Sequence, residues 1–82
     1  MTPLQTAMLI KIAENELSPL NGAKPEYVED ATTWADCVIE TAEDKGVFTS
    51  MINEGLVYHS GGAKADAAVG LTKKGFEAYK SL

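Results

Sequence analysis

The stretch Gly46–Tyr79, GVFTSMINEGLVYHSGGAKADAAVGLTKKGFEAY, decides the fold. Its first part carries apolar residues at helical spacing and runs into Gly55, which suits the left-handed cap at a helix C-terminus. A strand over 56–59 follows, small residues over 60–67 turn the chain, and a return strand over 68–71 leads into a last helix. The pattern therefore predicts helix, strand, turn, strand and helix in this order.

The helix that opens this stretch is predicted to begin between Ala42 and Lys45 and to end at Glu54. Two acidic residues near its start complement the positive end of the helix dipole. The last helix is predicted to be capped by Thr72 and to run to Leu82. The apolar residues that we expect on the buried face of the first of these helices are Val47, Phe48, Met51 and Ile52.

The N-terminal segment predicts another helix. Thr2 is a good N-cap, Pro3 suits the first helical position, and Gln5 completes a capping box with Thr2. The helix should end near Glu16 or Leu17, because a serine followed by proline disfavours continuation. Its predicted apolar face consists of Leu4, Met8, Leu9, Ile12 and Ala13.

Residues 18–33 give the weakest signals. Asn21-Gly22 is a turn signal, and Pro25 favours a single helical turn that reaches Val28. We expect Leu20, Tyr27 or Val28 to attach this segment to the core. A short helix is predicted from Trp34 to Glu40 with Thr33 as its cap. Trp34 is expected in the core between the first two helices, with an exposed interaction anchor as the alternative.

Length and composition indicate one small domain, residues 1–82. The hydrophobic content of 45% is that of an ordinary globular protein. The chain has no apolar run of the roughly 18 residues that a membrane span needs and no export signal, so we expect a cytoplasmic protein without a membrane partner. One cysteine and one histidine cannot form an internal disulfide or a standard metal site, so no metal or other cofactor is expected.

The net charge of −5 is distributed unevenly. Residues 14–44 hold nine acidic residues and one lysine, a net charge of −8, whereas residues 45–82 hold five lysines and three acidic residues. All seven basic residues are lysines, and arginine is the residue that best recognises guanine or phosphate in two-point contacts. The charge pattern alone therefore favours no nucleic-acid partner.

Two sequence features resemble the DNA-binding half of MarR-type regulators. MINEGLV is followed about a dozen residues later by GLTKKGFEAY, and TPLQTAMLIKIA resembles the first helix of the same module. The resemblance implies a mainly α, α+β fold: a winged helix-turn-helix with a three-helix core, a two-stranded β-hairpin wing and a C-terminal helix. It also implies a transcription-regulator-like module that reads double-stranded DNA through helix 43–54 and wing 57–71.

Under this interpretation helix 43–54 lies in the major groove, where Asn53 can read adenine and hydroxyl groups can contact phosphates. The alternative is that these positions are ordinary solvent-facing residues, since acidic residues on the same helix repel phosphate. The candidate DNA-binding residues are Lys45, Thr49, Ser50, Asn53, Lys64, Lys73 and Lys74.

A second hypothesis assigns the acidic half of the chain to a protein partner. Its carboxylates could imitate the phosphates of DNA and occupy a basic groove of another protein, or they could simply form a solvated face. Small acidic modules of this kind are typical of phage or plasmid genes. The candidate protein-binding residues are Glu26, Glu29, Asp30, Asp36 and Glu40.

An enzyme is not expected, because no nucleophile with a base, cofactor motif or catalytic pair of acids is recognisable. Cys37 is predicted to be a small core residue and His59 a hairpin residue near the surface. A homodimer is a further candidate state, through an apolar patch left on the last helix by Phe76, Tyr79 and Leu82 or on the first helix.

Overall fold

The computed structural model describes residues 1–61 and 67–82, which form four α-helices and a three-stranded antiparallel sheet, an α+β fold. A 3₁₀ turn, Val28–Asp30, precedes the first strand. The elements in chain order are α1 Pro3–Ala13, β1 Thr32–Trp34, α2 Ala35–Val38, α3 Ala42–Asn53, β2 Val57–Ser60, β3 Ala68–Leu71 and α4 Lys73–Lys80.

The start of α1 confirms the predicted capping box. The Thr2 hydroxyl accepts the Gln5 N–H at 3.1 Å, and the Gln5 side-chain oxygen accepts the Thr2 N–H at 3.0 Å. The helix ends at Ala13, earlier than predicted, because the Asn15 side chain accepts the Leu17 N–H and so bonds the backbone locally in a non-helical conformation. Leu4, predicted on the buried face, is exposed.

Strand β1 replaces the start of the predicted second helix. Thr33 is not a helix cap but pairs with Val69 inside the sheet, and α2 spans only Ala35–Val38. The sheet order is β1-β3-β2, so the predicted two-stranded hairpin gains a third strand from a distant part of the chain. The prediction failed here because a strand is stabilised by its partner, which lies more than 30 residues away in sequence.

Besides Leu4, two residues predicted in the core lie at the surface. Trp34 is 50% exposed, because it occupies the sheet face opposite to the helices, and Ile52 is 42% exposed at one side of α3. Between α1 and β1, Val28 packs against the core while Leu20 and Tyr27 are exposed. Val28 therefore attaches this segment, and Asn21 and Gly22 form the predicted turn with φ values of 51° and 88°.

The C-terminal half follows the prediction closely. α3 begins at Ala42 and ends at Asn53, Gly55 has the left-handed φ of 75°, and β3 covers 68–71 as expected. Strand β2 begins one residue later than predicted, at Val57, and α4 ends at Lys80 instead of Leu82. The centre of the predicted turn 60–67 lies outside the described residues.

The core lies between the helices and one face of the sheet. Tyr79 on α4 donates a hydrogen bond of 2.7 Å to the Glu14 carboxylate, which attaches α4 to the end of α1. Burial and this acceptor raise the pKa of the Tyr79 phenol. Within the described residues, no helix combines the length and the apolar character needed to cross a membrane. The largest fully buried side chains are Leu9, Ile12, Val38, Met51, Val69 and Leu71.

Candidate interaction surface on α2 and α3

A short turn of residues 39–41 joins α2 to α3. Thr41 caps α3: its hydroxyl accepts the Asp44 N–H at 3.1 Å, and the Asp44 carboxylate accepts the N–H groups of Glu40 at 3.0 Å and Thr41 at 3.2 Å. These bonds stabilise the ionised carboxylate. The N–H of Glu40, followed by that of Thr41, therefore holds the pKa of Asp44 below its usual value. The turn is thus held by side-chain-to-backbone bonds at the start of α3.

The outer face of α3 carries three of the predicted DNA-binding residues. Lys45, Thr49 and Asn53 are spaced four residues apart, so they form one stripe along the helix, and all three are exposed. Ala42 and Gly46 are exposed beside the stripe, and the methyl group of Ala42 and the bare backbone of Gly46 leave Lys45 and Thr49 accessible. We call Lys45, Thr49 and Asn53 the α3 stripe.

Ser50 does not belong to this stripe. It is half-buried, its hydroxyl donates to the Val47 carbonyl oxygen at 2.6 Å, and it accepts the Gln5 side-chain amide at 3.1 Å. The same amide of Gln5 donates to the Glu54 carboxylate. Ser50 and Glu54 therefore join α3 to α1, and the Glu54 carboxylate is directed to α1 while the Asp44 carboxylate is directed to the cap.

A groove of about 510 Å³ opens between α2, α3 and β2. Its apolar lining includes Ile39, Phe48 and Ile52. The rings of Phe48 and His59 pack edge-on, with their centroids 6.4 Å apart. Asp36 and Glu40 line it from the α2 side, and Lys45 and Thr49 line it from α3. We call this the α2–α3 groove. Its lining is Ala35, Asp36, Ile39, Glu40, Thr41, Ala42, Lys45, Phe48, Thr49, Ile52 and His59.

The two predicted lysines of α4 have different environments. Lys73 is exposed at the first position of the helix. Lys74 donates from its ammonium group to the Glu54 carbonyl oxygen at 2.9 Å, so its charge stabilises the C-terminal end of α3. Lys64, predicted on the wing, lies outside the described residues.

The predicted acidic set is divided between two places. Asp36 and Glu40 line the α2–α3 groove, whereas Glu26, Glu29 and Asp30 precede β1. Glu40 also forms an exposed ion pair of 3.7 Å with Lys11, an interaction of small energy in water. Cys37 is half-buried and packs against the core, as predicted.

Sequence reasoning missed the apolar residues of the groove. Ile52 was assigned to the core and Ile39 to no site, yet both line the groove. The signal was present in part: Ile52 follows buried Met51 directly, and adjacent helical residues point about 100° apart, so one of the two had to lie towards the edge of the buried face. Within residues 1–61 and 67–82, no group of three His, Cys, Asp or Glu residues is arranged to hold a metal ion.

Comparison with known proteins gives no relative for this arrangement: no protein-family model, no curated protein and no solved structure matches the chain.

Proposed function

We propose that the chain is an acidic winged-helix module that binds a basic segment of a protein partner in the α2–α3 groove. One observation carries the proposal: an apolar groove of about 510 Å³ has two carboxylates, Asp36 and Glu40, on its α2 side. Lysine and arginine side chains have an apolar stem and a charged end, so they can cover such a floor while the cation meets the carboxylates.

The winged-helix assignment rests on local features. α2 and α3 are joined by the three residues 39–41, the connection length of a helix-turn-helix. α3 ends before Gly55-Leu56-Val57, and Leu71-Thr72 leads into α4, in agreement with the resemblance to MarR-type modules. A hairpin of β2 and β3 separates these two points.

The electrostatics favour a protein partner over a phosphate backbone. Binding to DNA draws most of its free energy from cations placed along the phosphates. Here the exposed cation of α3, Lys45, shares its groove with Asp36 and Glu40, which repel phosphate and attract lysine or arginine. At longer range, the net charge of −5 also repels DNA and attracts a basic segment of a protein.

An NMR titration tests this proposal. The ¹⁵N-labelled protein is titrated with a synthetic peptide of alternating arginine and leucine and, separately, with a matched peptide of alternating glutamate and leucine. We expect the basic peptide alone to shift the signals of Ile39, Lys45 and Thr49. The double change Asp36→Asn and Glu40→Gln should weaken its binding by about tenfold, since two partly screened ion pairs are lost.

The matched control is Glu29→Gln, which removes an exposed carboxylate outside the groove. Its affinity for the basic peptide should equal that of the unchanged protein. If Glu29→Gln weakens peptide binding equally, the weakening is due to the change in net charge and not to the groove. If binding survives the loss of both groove carboxylates, the proposed site is refuted.

A second candidate function is binding of double-stranded DNA, and the α3 stripe favours it. Lys45, Thr49 and Asn53 are exposed on one face, and the Asp44 and Glu54 carboxylates are engaged elsewhere. In this alternative helix 43–54 enters the major groove. Backbone contacts would come from the other three lysines of the predicted set, Lys64, Lys73 and Lys74.

Titration with a mixed-sequence duplex at about 50 mM and about 200 mM salt separates the two functions, because phosphate contacts weaken steeply over this range. DNA binding predicts shifts along the α3 stripe that fade with salt and disappear in the double variant Lys45→Glu and Lys73→Glu. Lys24→Glu is the matched control, since Lys24 lies beside Tyr79 and Lys80, away from α3. A spectrum unchanged at low salt would eliminate this candidate.

A further inference from the structure

Glu40 has neighbours of two kinds. It lines the α2–α3 groove together with Asp36, and its carboxylate also forms an ion pair with the Lys11 ammonium group, with 3.7 Å between Oε2 and Nζ. The same ammonium group donates to the Val38 carbonyl oxygen at 3.4 Å. One of the two groove carboxylates therefore already has a lysine partner within the chain.

Lys11 approaches this carboxylate from the α1 side. It lines a small hollow of about 180 Å³ between α1 and α3, together with Glu43 and Asp44. The N–H of Glu40 is the first cause of the lowered pKa of Asp44, and the positive charge of Lys11 lowers that pKa further. The ammonium group thus lies beside the turn that joins α2 to α3.

The ion pair is open to exchange. The Lys11 side chain is 38% exposed and the Glu40 side chain 64%, so water and other cations reach both charged groups. An exposed pair of this kind is only slightly more stable than its separated members. A lysine or arginine of a partner that enters the groove therefore competes with Lys11 for the same carboxylate.

We propose that Lys11 is an internal competitor of the partner: by pairing with Glu40 it lowers the affinity of the α2–α3 groove for a basic segment. This inference rests on the proposed function, because it concerns the same groove and the same class of partner. The effect runs through one carboxylate, so it disappears when Glu40 is made neutral.

The strength of the ion pair sets the size of the effect. Exposed pairs form with equilibrium constants of about 1.4 to 5. A carboxylate engaged to this extent is free for roughly 42% to 17% of the time, and the affinity of a ligand that needs it free falls by the same fraction. Removal of the Lys11 ammonium group should therefore tighten binding by about two- to sixfold.

A double-mutant cycle with the peptide of alternating arginine and leucine tests the competition. NMR titration at about 150 mM salt gives the affinity of the unchanged protein, Lys11→Met, Glu40→Gln and the double variant. We expect Lys11→Met to bind about two- to sixfold more tightly. In the Glu40→Gln background the same change should leave the affinity nearly constant. Methionine keeps the apolar stem of the side chain on α1, so the fold should be retained.

Lys24→Met is the matched control for net charge. It removes the same charge from an exposed lysine beside Tyr79 and Lys80, and at this salt concentration a distant charge is screened. Its affinity should equal that of the unchanged protein. If Lys24→Met tightens binding as much as Lys11→Met does, or if Lys11→Met acts equally with and without the Glu40 carboxylate, the effect is one of net charge and the inference is overturned.

A second measurement follows the ammonium group directly. In protein labelled with ¹³C-lysine, the basic peptide should shift the ε-methylene signal of Lys11, because the peptide displaces it from Glu40. The signal of Lys24 should stay constant. A Lys11 signal that does not move when the protein is saturated with peptide contradicts the competition.

The outcomes separate this inference from the function on which it rests. Equal binding by the unchanged protein and Lys11→Met overturns the inference and leaves the proposed function intact. Absence of binding by both proteins removes the proposed function and the inference with it. Binding that is detected only in Lys11→Met supports both.

Discussion

Two regions of the molecule differ in how their structure arises: the α3–α4 junction, which we define as residues 54–56 with 72–75, and the segment 14–40. In the junction each turn is determined by a residue of special chemistry, such as Gly55 with its φ of 75°. In the segment, β1 exists only because β3 pairs with it. The comparison teaches that caps can be recognised locally, whereas a short strand depends on a distant partner.

The junction joins two helices and a strand within a few residues. Thr72 donates from its hydroxyl to the Gly55 carbonyl oxygen at 2.6 Å, accepts the Gly75 N–H at 3.1 Å and donates its own N–H to Leu56 at 3.1 Å. Lys74 adds a bond to Glu54. One residue, Thr72, thus satisfies backbone groups of both helix ends.

The largest effect is expected from Gly75→Ala. A Cβ atom there would overlap the Leu56 carbonyl oxygen and lie 2.8 Å from its carbonyl carbon, and the obstacle is backbone that cannot rotate away. We expect a loss of about 3 kcal/mol or more in the free energy of unfolding, measured by urea titration.

The matched control is Gly46→Ala in the outer side of α3, where no atom lies within 4 Å of an added Cβ. This change should stabilise the protein by about 0.5–1 kcal/mol, because alanine restricts the unfolded chain and favours the helix. If Gly75→Ala changed the free energy of unfolding no more than Gly46→Ala does, α4 would not pack against Leu56 as described.

Thr72→Ala should cost about 1–2 kcal/mol, since it removes the cap of α4 and the bond to Gly55 together. Thr72→Ser keeps the hydroxyl group and should restore most of this loss. Urea unfolding of both variants measures the difference. Equal destabilisation by serine and alanine would assign the effect to the lost methyl group instead of the hydrogen bonds.

The reliability of the sequence predictions follows the same division. Thr2, Gly55 and Thr72 act on residues within a few positions, so the helix ends at these places were predictable to within a residue or two. Thr33 and Trp34 were instead predicted as the cap and the start of a helix. An isolated Thr-Thr-Trp run is compatible with a helix or a strand, and only its pairing with Val69 and Ala68 decides for the strand.

The candidate site was predictable only in its charges. Lys45, Asp36 and Glu40 were assigned to two separate hypotheses, yet they line one groove. The floor under them depends on how α2 and α3 pack, which places Ile39 and Ile52 at its sides. The charged residues are visible in the sequence, whereas the shape of the groove between α2 and α3 can be known only from the relative orientation of the two helices.

The point where segment 14–40 meets α3 responds to pH. The N–H groups of Glu40 and Thr41 hold the pKa of Asp44 below its ordinary value of 3.8, so the folded protein binds this proton less readily than the unfolded chain. Its contribution is complete above that value and is lost as pH falls through the lower, folded-state pKa. Asp44→Ala should therefore destabilise the protein at pH 7, and the difference should disappear in acid.

Urea unfolding of the unchanged protein and Asp44→Ala at pH 7, 5, 3 and 2 measures this loss. Glu43→Ala is the control: its carboxylate is adjacent and exposed, and it does not take part in the Thr41 cap. A difference between Asp44→Ala and the unchanged protein that stays constant down to pH 2 would mean that the cap does not depend on the ionised carboxylate.

The smallest effect is expected from Trp34→Ala, and it distinguishes most sharply between the predicted and the observed position of this residue. A tryptophan in the core would cost about 3–5 kcal/mol on truncation. Trp34 is 50% exposed on the sheet face opposite to the helices, so its truncation should cost less than about 1 kcal/mol, chiefly through lower strand propensity. Urea unfolding of the variant and of the unchanged protein measures this difference.

Phe48→Ala is the reference variant for a buried aromatic residue. Phe48 is 3% exposed in the core, so its truncation should lower the free energy of unfolding by about 3–5 kcal/mol. If Trp34→Ala matches it, β1 does not hold its side chain on the exposed sheet face, and the segment is helical as the sequence first suggested. If Trp34→Ala is nearly neutral, the Trp34 side chain lies on the sheet face opposite to the helices, as its register with Ala68 places it, and it adds little to the stability of the folded chain.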